Sequence, residues 1–137
     1  MIQIIAGEKG QGKTKRLLDM ANEAGKVANG NIVFIDDDKR HMFDLSYNIR
    51  FVETSSFIMD DHRMFYGFIR GILSQDSDIE KIFIDGINNI IKKITLEDFL
   101  NFIEELEKVS VEYNVDFIMI ISIKVEDLPE SVKKYLI

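Results

Sequence analysis

The chain has 137 residues, no cysteine, no tryptophan, one proline and a net charge of −7. That is one domain's worth, residues 1–137, and without cysteine there is no disulfide framework and no thiolate-held zinc or iron–sulfur centre. The acidic balance disfavours nucleic acid as a partner. No apolar run reaches the roughly 20 residues of a membrane span and no leader precedes the first apolar stretch, so a cytoplasmic protein with no membrane partner is expected.

Ile2–Ala6 reads as a short strand ended by Gly7. A helix is predicted over 13–28, with Leu17, Leu18, Met20, Ala21, Ala24 and Val27 near helical spacing. Residues 32–35 are β-branched or aromatic and apolar on both faces, as buried parallel strands are, and Asp36, Asp37 and Asp38 close the run. The stretch 49–53 alternates, as a strand with one face less covered does. Apolar spacing through Phe57, Ile58, Phe65, Phe68, Ile69 and Ile72 predicts a helix over 57–73, with His62 exposed on it. Residues 81–85 form another buried run, ending in the carboxylate of Asp85. Thr95 followed by Asp98 is a capping signature for a helix whose stripe is Phe99, Phe102, Ile103, Leu106 and Val109. The longest apolar run, 115–123, suits a central strand, and 130–137 suits a short terminal helix with Pro129 near its first turn. Strands alternating with helices imply parallel pairing, hence an α/β fold: one three-layer α/β/α domain around a five-stranded parallel sheet.

Gly7-Glu8-Lys9-Gly10-Gln11-Gly12-Lys13-Thr14 matches G-x-x-x-x-G-K-[ST] and lies between a predicted strand and a predicted helix. The residue types suit a phosphate cradle. Glycines let backbone N–H groups turn inward, and the following helix N-terminus adds positive potential. Lys13 is expected to reach the β- and γ-phosphates and the Thr14 hydroxyl to hold Mg²⁺, with Lys15 completing the expected nucleotide-binding set. The bland alternative is a glycine-rich turn without a ligand. A metal-ordering carboxylate belongs at the end of a neighbouring strand, and Asp85 stands there; a turn or helix-capping aspartate is its plainer reading.

With these elements in order, residues 1–124 resemble the RecA-like group of P-loop ATPases. The resemblance implies the sheet order 3-2-4-5-1, with the first strand at an edge and open to docking unless the terminal helix covers it. It implies Mg²⁺ and ATP as ligands. It also puts a water-activating carboxylate at the end of 32–38, where Asp36 and Asp38 are the catalytic candidates beside Lys13, and a γ-phosphate sensor at Ser122. Three departures stand out. The family uses Glu where this chain offers Asp36, Asp37 and Asp38; Gly86 follows Asp85 where many relatives carry Glu; and there is no room for DNA-binding loops. The chain is similar to small Firmicutes proteins known as ATP-binding. Lys9 resembles the extra loop lysine of deviant P-loop ATPases that reach across a dimer, although Glu8 separates it from Gly7. Arg40, Arg63 and Arg70 are candidates for an arginine finger supplied to a neighbouring subunit. The expected function is slow or partner-stimulated ATP hydrolysis by a nucleotide-dependent switch that acts on a protein partner or as a homo-oligomer. The alternatives are a small-molecule or nucleoside kinase and an ATP-binding module that does not hydrolyse.

Overall fold

In the computed structural model, which describes residues 1–137, five strands form one sheet: β1 (Ile2–Ala6), β2 (Asn31–Asp36), β3 (Arg50–Glu53), β4 (Ile79–Ile84) and β5 (Asp116–Ile121). Their order is β1-β5-β4-β2-β3 and every pairing is parallel, which is the expected order read from the other edge. The connections carry helices α1 (Lys13–Val27), α2 (His62–Gln75), α3 (Ile87–Ile90), α4 (Leu96–Tyr113) and α5 (Glu130–Lys133).

Alternation along the strands decides which helix each residue meets. Ile32, Phe34, Phe83, Ile118 and Ile120 face α1 and pack on its Leu17, Leu18 and Ala21. Val33, Ile35, Ile82, Ile84, Phe117 and Met119 face the other way, onto Phe65 and Ile69 of α2 and Phe99, Phe102 and Leu106 of α4. Helices on both faces make three layers. They also explain why 32–35, 82–84 and 117–121 are apolar without alternation, since neither face of these central stretches meets water. The ring of Phe65 stacks on Phe102 at a centroid distance of 5.5 Å, fixing α2 against α4. The expected capping box of α4 is formed: Asp98 N–H donates to Thr95 Oγ1 at 3.0 Å.

Three features depart from the sequence expectation. The helix expected from residue 57 begins at His62, because the Asp61 carboxylate accepts the Met64 N–H at 3.0 Å and caps α2 there. Phe57 is left in an irregular segment, 53% exposed, its ring edge-on to Phe68. His62, expected in solvent, is half-buried with Nε2 4.0 Å from Asp98. Finally, the terminal helix is a single turn. Beyond it the chain extends and Leu136 bridges Ile4 in parallel. Ile4 N–H donates to Tyr135 O at 2.8 Å, and Ile137 N–H donates to Ile4 O at 3.1 Å. The middle of the β1 edge is therefore already paired, and the docking edge expected there is closed. No helix is long and apolar enough to cross a membrane.

Candidate functional site

In a parallel sheet all strands end on the same side, so the residues that follow β1, β2, β4 and β5 converge there. They enclose a cavity of about 390 Å³. The glycine-rich loop contributes Lys9, Gly10, Gly12, Lys13, Thr14 and Lys15 to its lining. Asp36 and Asp37 enter from the end of β2, Asp85 and Gly86 from the end of β4, and Ser122 from the end of β5. Gly7, Glu8 and Gln11 shape the loop without lining the cavity.

The loop's backbone depends on glycine. Gly10 and Gly12 have φ of 84° and 76°, the left-handed region that side chains disfavour. Gly12 leads directly into α1, and no side chain caps that helix, so its first-turn N–H groups lack a side-chain partner. Lys13 is buried, and its ammonium folds back to donate to the Glu8 carbonyl at 2.5 Å. The Glu8 carboxylate turns outward to Lys124, 3.4 Å away.

Two buried carboxylates face this cationic loop from neighbouring strands. Burial pushes the Asp85 carboxyl above its ordinary range, while hydrogen bonds from the Thr14 hydroxyl and the Gly86 N–H pull it back. Asp36 has less support. Its Oδ1 accepts the Asp37 N–H at 2.7 Å, but burial, the Asp37 side chain and the charge of Asp85 together push it up to about 8. Asp36 is thus largely protonated at neutral pH. Gly86, with φ of 75°, lets Asp37 lie close, since a Cβ there would collide with the Asp37 carboxylate. A Glu following Asp85 is replaced by space that Asp37 occupies.

Asp38 does not reach the cavity. Its carboxylate accepts the Arg40 backbone N–H and the Arg40 Nε, both at 2.9 Å, so Asp37 is the second member of the acidic run at the site. Ser122 does line it, held by its N–H donating to Asn88 Oδ1 at 3.1 Å. Of the three arginines considered as fingers, Arg40 lines the chain's own cavity, Arg63 is exposed on α2 and does not line it, and Arg70 pairs with Glu112 at 3.0 Å and lies over the Tyr66 and Tyr113 rings. His41, Asn88 and Asn89 also contribute and carried no motif. Their only sequence signal was position, a few residues past a buried strand.

The donor set suits Mg²⁺. The Thr14 hydroxyl and the buried Asp85 carboxylate line the same cavity and offer hard oxygens, and no group of three His, Cys, Asp or Glu side chains forms a closed cage. Mg²⁺ typically takes one or two protein ligands and fills the remaining positions with water and phosphate. No protein-family model matches this chain, and a comparison with curated proteins finds no relative.

Proposed function

We propose that this chain is an ATP-binding domain that holds Mg-ATP on residues 7–14, acting as a P-loop, and turns it over slowly. The observation that carries the reading is the convergence of a left-handed glycine loop, a buried Lys13 and the Thr14–Asp85 pair at the carboxyl end of one parallel sheet. Free N–H groups of the loop and of α1 would cradle the phosphates. Lys13 would exchange the Glu8 carbonyl for phosphate oxygens, so binding rearranges the loop, as a nucleotide-dependent switch requires. Thr14 and Asp85 would hold Mg²⁺, which neutralises charge on the β- and γ-phosphate oxygens when bound. The preference for ATP rests on the RecA-like resemblance, and a cytoplasmic setting goes with it.

Hydrolysis is slow in this reading because the site is short of a base. Asp36 is buried with its Oδ1 engaged by the Asp37 N–H and Asp38 is tied to Arg40, which leaves Asp37 to orient water. Thermal unfolding with and without Mg-ATP, beside phosphate release, tests the proposal. At a hundred times Kd, ATP should stabilise the native chain by about 2.7 kcal/mol. Lys13→Ala should lose both the stabilisation and the phosphate release. Equal stabilisation of the Lys13→Ala variant would overturn the reading.

A further inference from the structure

A second cavity, of about 700 Å³, adjoins the first. The two share Asp37 and Asn89, so they meet at the carboxylate that the acidic run turns inward. The outer cavity lies under the irregular segment between β3 and α2, where Phe57 and Ile58 are 53% and 74% exposed. Their exposure has a local cause, since the Asp61 cap starts α2 too late to bury them. The Phe57 ring is nevertheless not loose: it is set at 84° to Phe68 with centroids 4.9 Å apart. A fixed aromatic surface and Ile58 thus face a space of ligand size.

The polar lining narrows what fits. Thr54 is held by its N–H and hydroxyl, both donating to Asp36 O, which leaves its hydroxyl oxygen able to accept. The Asn89 amide can donate and accept. Asp37 and Asp60 place carboxylates on the wall against one cation, Lys92, which is exposed and in no ion pair. That balance disfavours an anionic occupant. A flat ring with hydrogen-bonding edges, no net charge and a free hydroxyl matches these groups together.

We infer that the outer cavity binds a nucleoside as phosphoryl acceptor, its base against Phe57 and Ile58 and a sugar hydroxyl at Asp37. The inference rests on the ATP-binding reading and names the second substrate of the same site. In the step, the nucleoside hydroxyl oxygen forms a bond to the γ-phosphorus of ATP and the bond between that phosphorus and the β–γ bridging oxygen breaks. The hydroxyl proton passes to the Asp37 carboxylate and then to water. ADP and a nucleoside monophosphate leave. Slow hydrolysis is then the reaction of ATP with water when the outer cavity is empty.

The test uses the full chain, γ-labelled Mg-ATP and each of adenosine, guanosine, cytidine, uridine and thymidine, with ribose as a control lacking the ring. At least one nucleoside should raise ADP formation tenfold or more and carry the label, and ribose should do neither. Phe57→Ala should raise the nucleoside KM at least tenfold, more than it lowers kcat. Ile58→Lys should do the same, and at an exposed position it leaves the core intact. The inference is overturned if no nucleoside accelerates ADP formation, if ribose accelerates it equally, or if both variants keep the native KM. If Mg-ATP stabilises the native chain while every nucleoside fails, the acceptor inference alone falls. If Mg-ATP gives no stabilisation, the ATP-binding reading falls with it.

Discussion

The two faces of the sheet are built to different depths. On one, α2 and α4 help bury a cluster of 24 residues; on the other, α1 covers a cluster of ten. The deep cluster reaches the nucleotide cavity through Ile87 alone, whereas the shallow face hangs on a helix that begins with Lys13 and Thr14. The difference teaches that on the first face most of the core lies away from the nucleotide cavity, whereas on the second the core and the phosphate loop share one element. A change in the deep core should lower stability and leave the site alone. A change under α1 should disturb both.

The largest expected effect is on the deep face. Phe102 is fully buried against Phe65, and Phe102→Ala should cost about 4 kcal/mol in chemical denaturation, with the Kd for Mg-ATP unchanged within twofold. Leu17→Ala, one turn into α1 and also fully buried, should cost about 3 kcal/mol and in addition weaken Mg-ATP binding several-fold by titration calorimetry. If Leu17→Ala binds as tightly as the native chain, the coupling of the shallow face to the site breaks.

A pH series sharpens the comparison next. The Asp36 carboxyl sits at about 8 in the fold against an ordinary 3.8, so the folded state holds a proton that the unfolded chain releases. Its contribution is fully present below pH 4 and is lost as pH rises toward 8. Asp36→Asn, whose Oδ1 can still accept from Asp37, should match the native chain near pH 4 and exceed it by about 2 kcal/mol at pH 8, a figure discounted for partial access of water. Equal stability at both pH values would show that Asp36 ionises freely. The smallest effect belongs to Arg16, on the outer side of α1, whose Nη1 donates to Ile137 O at 3.1 Å. Arg16→Ala should lower stability by less than about 1 kcal/mol, read as a small fall in Tm.

Much of this was legible in the sequence because periodicity and glycine act locally. The apolar runs gave the strands, the Thr95–Asp98 pair gave the start of α4, and the spacing of Gly7, Gly12, Lys13 and Thr14 marked the loop between β1 and α1. What was not legible depends on where chains cross. Asp37 and Asp38 are adjacent and chemically alike, yet Gly86 from another strand leaves room for one, while Arg40 draws the other outward. The late start of α2 was within reach, since Asp61 is a good cap, but the apolar Phe57 and Ile58 masked it. The pairing of Leu136 with Ile4 joins opposite ends of the sequence, and helical spacing over 130–137 carries no sign of it.

That the first strand is last to find its neighbours has a consequence during synthesis. Ile2 pairs with Phe117 and Ala6 with Ile121, and its other flank waits for Leu136. Translation delivers residues at roughly 5–20 per second. For seconds the emerging chain therefore carries an unsatisfied hydrophobic strand joined to the glycine loop, while β2, β3 and β4 can already pair among themselves. The candidate nucleotide cavity cannot exist on the nascent polypeptide before β5 arrives. A ligand of that cavity could favour the finished fold, but could not template its first half.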